Sequence, residues 1–252
     1  MQWFKKAVIF VIFGTFLTAC VSTTQINQEA ESNYAQVKQQ ARAQNILDTD
    51  STTAKRIHAV FNKMKPYAEK ANKTGVPFKW EITVLKSNEL NAWAMPGGKM
   101  AFYTGLVNRL KLSDDEIAVV MGHEMAHALQ EHGKSDRTVT AVTGIVGVLA
   151  DVAVTATTGV STEGLLSTGV DLIATKPFSR SQETEADEVG LMLMAESGYN
   201  PEAAPNVWIK MSKESGSSGL SIFSTHPSNE DRQENLARLV PKAKEIYLAN
   251  KK

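Results

Sequence analysis

At 252 residues, with 42% hydrophobic and 21% charged content, the chain can form one sizeable folded domain plus an extension, and its composition excludes a disordered or fibrous protein. Lysine plus arginine balances aspartate plus glutamate at 27 each, which gives no reason to expect nucleic acid or another polyanion as a partner. The single cysteine forbids an intrachain disulfide.

Lys5 and Lys6 precede an apolar run, Ala7 to Leu17, of 11 residues, short of the ~20 that span a bilayer. Residues 1–19 therefore read as a signal peptide. Leu17-Thr18-Ala19-Cys20 resembles the lipobox of bacterial lipoproteins, which implies cleavage before Cys20 and a diacylglycerol on its thiol. Cleavage removes Lys5 and Lys6 but no acid, so membrane attachment would rest on acyl chains, at ~0.8 kcal/mol per buried CH₂, rather than on basic residues. Val21, where an aspartate would imply retention at the inner membrane, implies an outer-membrane lipoprotein facing the periplasm. Residues 20–51, rich in Gln, Ser, Thr and Asn, read as a lipid-anchored tether, and residues 52–252 as the folded domain.

Ile57, Val60, Phe61, Met64, Tyr67, Ala68 and Ala71 recur at three- and four-residue steps, an amphipathic helix that Gly75 and Pro77 end. Trp80 to Leu85 and Met100 to Thr104 have strand composition with turn chemistry at Met95-Pro96-Gly97-Gly98, which predicts a small antiparallel sheet. Ser113 to Glu116 is a capping box that opens a long helix running to His132, with Gly133 as its C-terminal glycine. Residues 138–154 are dominated by Ala, Val, Gly and Thr, with Asp151 the one charge, and read as a hydrophobic loop or helix flanking the site. Further helices are predicted from Ser179 to Ser197, through Val207, Trp208 and Met211, and from Asn229 to Lys244, with a flexible stretch at Gly216 to Gly219.

The long helix carries His123-Glu124-Met125-Ala126-His127. Side chains four apart on a helix lie ~40° apart around the axis and ~6 Å along it, so His123 and His127 can ligate one ion. Glu124 sits one step round, able to face a water at that ion without ligating, the position of a general base. A catalytic zinc takes a third protein ligand and leaves a fourth position open. The metzincin pattern would put Gly at 130 and His at 133; the chain has Gln130 and Gly133 there, and His132 reads as a structural or surface residue at the helix end. The remaining ligand is a carboxylate, supplied by Ser179 to Gly190: Glu183 as ligand, with Asp187 four residues on as acceptor for a ligand imidazole. Glu185 and Glu188 read as solvated surface charges.

These motifs, with Asn91-Ala-Trp-Ala-Met-Pro-Gly-Gly98, Ser224-Thr225-His226-Pro227 and Arg232, resemble the gluzincin metallopeptidases typified by HtpX and BepA, over roughly residues 55–239. The resemblance implies an α+β, zincin-like domain, mostly helical with a small antiparallel edge sheet, holding one Zn²⁺. It implies polypeptide substrates whose backbone adds to the strand after the turn, making Gly97, Gly98 and Met100 a substrate-binding edge. It implies that His226 gates the zinc or, with Arg232, assists the transition state. It further implies stress-responsive quality control of unfolded or mis-assembled envelope proteins, alongside other envelope proteases or assembly machinery. A zinc-containing chaperone or assembly factor with a latent protease site is the alternative.

Overall fold

The computed structural model describes residues 22–135, 177–215, 226 and 230–250. The signal peptide, Cys20, the apolar segment 138–154 and Gly216 to Gly219 lie outside the described residues.

The predicted tether is, from Ser22 onward, a packed helix, α1 (Thr23–Ala43). Its start is a capping box in which Ser22 Oγ accepts from the Gln25 N–H and Gln25 Oε1 accepts from the Ser22 N–H. The polar residues that suggested a tether line the outer face. Ile26, Ala30, Tyr34, Val37 and Ala41, spaced by threes and fours, form a buried stripe.

That stripe covers one face of a three-stranded sheet made of β1 (Glu81–Leu85), β2 (Ala92–Met95) and β3 (Lys99–Tyr103), in the order β1-β3-β2. The antiparallel pairing is between β2 and β3, with Trp93 opposite Ala101. The two strands read from composition, β1 and β3, instead pair in parallel, Glu81 opposite Lys99, so the sheet is mixed. Alternation along β3 sends Ala101 and Tyr103 toward α1, and Met100 and Phe102 toward the helical core. Gly98 makes the turn possible: its φ is 79°, and a Cβ there would lie 2.6 Å from the Trp80 ring.

β3 is therefore the central strand, flanked on both sides, and Met100 is fully buried, which corrects the expectation that Gly97, Gly98 and Met100 form the substrate-binding edge. Among the described residues β1 and β2 are the edge strands, and β2 packs beside the helix carrying the histidines.

Against the other face of the sheet lies the helical core. It comprises α2 (Thr52–Ala71), whose Ile57, Val60, Phe61, Met64 and Ala68 are buried as predicted, the short α3 (Thr104–Arg109), and α4 (Asp114–Leu129). The predicted helix to His132 breaks earlier: Glu131 takes a left-handed φ of 53°, and a separate turn, α5 (His132–Ser135), follows. Next come α6 (Arg180–Glu196), α7 (Ala204–Ser215) and α8 (Glu230–Asn250). α4 and α6 meet backbone to backbone, since a Cβ built on Gly122 would lie 2.6 Å from the Gly190 carbonyl oxygen. This close approach brings the two motif-bearing helices within ligand distance of each other. Among the described residues, no helix is long and apolar enough to cross a membrane.

A candidate metal centre between two helices

α4 is buried on every side from Glu116 to Leu129, so its motif points into the core rather than to solvent. His123 and His127, one turn apart, bring their Nε2 atoms to 3.1 Å of each other. From α6, Glu183 places Oε1 3.4 Å from His127 Nε2 and Oε2 3.6 Å from His123 Nε2. His226 completes the group, its Nδ1 lying 3.2 Å from His123 Nε2 and 2.9 Å from Glu183 Oε1. One ligand atom from each of the four falls within 4.8 Å of every other, and all four residues are buried.

A zinc ion bound at ~2.0–2.1 Å in a tetrahedron needs ligand atoms ~3.3–3.4 Å apart, close to the separations found. The buried Glu124 Oε1 lacks a hydrogen-bond donor, and Glu183 Oε2 is met by Arg232 Nη1 at 2.7 Å as an ion pair. Imidazoles and a carboxylate converging at these separations fit a divalent cation, and this donor set fits zinc.

Residues 51–240 match the model of Peptidase family M48. The chain belongs to this family. It is 37% identical over 159 residues to mitochondrial metalloendopeptidase OMA1 of Arabidopsis thaliana, covering 63% of this chain and 31% of that protein. It is 29% identical over 191 residues to metalloprotease LoiP of Escherichia coli, covering 76% and 72%. It is 26% identical over 232 residues to the E. coli beta-barrel assembly-enhancing protease, covering 85% and 44%. The chain thus spans only about a third of the Arabidopsis relative.

In this M48 site, a second ring of residues holds the first. Asp187 Oδ1 accepts from His123 Nδ1 at 2.9 Å, which leaves Nε2 turned to the ligand cluster. Arg232, only 2% exposed, clamps that carboxylate through Nε and Nη2 at 2.7 and 2.8 Å. Its guanidinium also lies 4.1 Å from the Trp208 ring centroid. Arg232 is therefore a buried counter-charge for Glu183 and Asp187.

Burial sets the electrostatics. It raises the Glu124 carboxyl above its ordinary range, against the pull of His226 and His123. Burial also drives His127 well below the usual imidazole value, keeping it in the neutral, ligating form. Glu183 goes the other way: burial opposes its ionisation, but hydrogen bonds from His127 and His226 overcome that and hold it far below the carboxylate range. Asp187 is likewise held low, burial being outweighed by the Arg232 and His123 hydrogen bonds.

Four further residues lie around this centre and its helices. Phe178 stacks on His127 with ring centroids 4.0 Å apart. His132, expected at the surface or in a structural role, is 4% exposed, and its Nδ1 lies 2.9 Å from His127 Nδ1. Glu185 is solvated as expected, its side chain 53% exposed, and also reaches His132 Nε2 at 3.3 Å. Glu188, also expected to be solvated, accepts from Asn235. Their signal in the sequence was spacing alone: Glu185 lies two residues from Glu183, and His132 five from His127.

Proposed function

We propose that the protein is a zinc-dependent endopeptidase, lipid-anchored through Cys20 in the outer membrane and facing the periplasm, that hydrolyses unfolded or mis-assembled envelope proteins. The observation that carries this reading is a buried Glu124 carboxylate, its Oε1 without a hydrogen-bond donor, beside the His123, His127 and Glu183 ligand set. When bound, zinc supplies Lewis-acid chemistry, acidifying a water and polarising a substrate carbonyl. Glu124, its basicity raised by burial, takes the proton of the attacking water and returns it to the leaving nitrogen. His123, His127 and Glu183 would hold the ion, and Asp187 fixes the tautomer of His123.

Substrate backbone adds to the edge of β2 rather than to β3, beside a narrow recess lined by Ala94, Met95, Pro96, His127 and Phe178. Across the site, a small apolar recess between Val119, Val120, Trp208 and Met211 touches Glu124, which suits hydrophobic side chains of unfolded chains. Export and anchoring are supported by Leu17 to Cys20; the OMA1 relatives carry "mitochondrial" in their names, and that word describes them.

His226 gates this site. Its Nδ1 lies among the ligand atoms and its Nε2 3.5 Å from Glu124 Oε1, where water and substrate must enter. This arrangement also favours the second reading, an assembly factor with a silent centre. Full-length protein in detergent tests both, through bound zinc by elemental analysis and cleavage of unfolded casein. We expect about one zinc per chain in wild type, Glu124→Gln and His226→Ala, cleavage raised severalfold in His226→Ala, and none in Glu124→Gln. Zinc binding with no cleavage even in His226→Ala would move the assignment to the assembly factor.

A further inference from the structure

The two metal-binding histidines are supported differently. His123 has a carboxylate directly on its Nδ1, from Asp187 at 2.9 Å. His127 has another imidazole there, His132 Nδ1 at 2.9 Å, and behind it Glu185 Oε2 lies 3.3 Å from His132 Nε2. From this geometry we infer that Glu185 and His132 form a relay that positions His127 for the metal, doing through one extra ring what Asp187 does for His123.

Hydrogen-bond polarity fixes the relay. His127 turns Nε2 to the ligand cluster, so as a neutral ligand it carries its proton on Nδ1. That proton is donated to His132 Nδ1, which must be the bare acceptor nitrogen. His132 then carries its own proton on Nε2 and donates it to the Glu185 carboxylate, the only arrangement of neutral rings in which each contact has one donor and one acceptor. The break after α4 serves this arrangement. A continued helix would put His132 five residues, or ~500°, round from His127 and on a different face. Left-handed Glu131, with φ 53°, turns the chain so that His132 returns onto His127, buried and 4.9 Å from it between ring centroids. Phe178 stacks on the face of the His127 ring, with centroids 4.0 Å apart, and restricts its rotation.

His132 and Glu185 are thus positioning residues, and their effect appears in metal affinity whether or not the protein cleaves peptides. The test measures zinc binding to the full chain in detergent by competition with a chromophoric chelator, and the visible absorption of the cobalt-loaded protein. His132→Leu removes the acceptor, whereas His132→Asn keeps an oxygen near the position of Nδ1. We expect His132→Leu to weaken zinc binding about ten- to a hundredfold and to shift the cobalt bands. His132→Asn should recover most of both. Glu185→Leu, on a side chain half open to solvent and safe for folding, should weaken binding about threefold or more. The relay is overturned by wild-type zinc affinity in both leucine variants. Equal losses in His132→Leu and His132→Asn would also overturn it, since they mark a packing role.

Discussion

The molecule holds its inner and outer layers together in opposite ways. Between α4 and α6 there is no slack: glycine meets glycine, and the charges of Glu183, Asp187 and Arg232 are sealed from water, each 5% exposed or less. Between α1 and the sheet, contact is made by longer side chains. Tyr34 donates its hydroxyl to the Met100 carbonyl at 2.8 Å and meets Trp93 edge-on, while Lys38 and Lys99 reach the half-exposed Glu81. The inner interface fixes the spacing of the two ligand-bearing helices by backbone contact. The outer one is buried at Tyr34 but tolerates change at its rim, where Lys38, Lys79 and Glu31 are partly open to water.

The largest contrast is expected at Arg232. Replacing it by Leu leaves two buried carboxylates without their cation, and breaking a buried pair from one side costs about 3–5 kcal/mol. Urea melts of the zinc-loaded protein measure it, and a loss below about 1 kcal/mol would show that the ion alone neutralises both acids. Gly190→Ala comes next. Its Cβ would press within 2.6 Å of the His123 nitrogen, so overpacking of about 1–3 kcal/mol is expected together with a loss of zinc affinity. Full zinc affinity in a destabilised variant would break the comparison, because the ligands would then be positioned independently of the helix contact.

How much of this was legible follows the same division. His123, Glu124 and His127 lie within five residues, and Glu183 and Asp187 within five more, so helical periodicity alone places each set on one face. That α4 and α6 meet depends on Gly122 facing Gly190, a pairing of residues 68 apart that no local pattern encodes. The parallel pairing of β1 with β3 is likewise non-local, since β2 intervenes in sequence. The α1 stripe was readable, for Ile26, Ala30, Tyr34, Val37 and Ala41 keep helical spacing, but the surrounding Gln, Ser and Asn drew the reading to a tether. His132 was hidden by the left-handed conformation of Glu131, since glutamate gives no hint of the turn that a glycine would.

The smallest effect is expected at the outer interface. Burial would raise the Glu81 carboxyl, but the ammonium groups of Lys38 and Lys99 overcome it and hold the folded value below the ordinary one. A depressed carboxyl favours the folded state while it is ionised, so its contribution is complete above the ordinary glutamate value of about 4.3 and disappears as pH falls through the folded one. Because the side chain is 40% exposed, screening leaves it about 0.5 kcal/mol or less. Wild type should therefore exceed Glu81→Gln slightly in urea melts at neutral pH, and the gap should close in acid. A gap that persists in acid would mean that Glu81 stabilises α1 by packing rather than by charge, and the outer layer would then be held much as the inner one is.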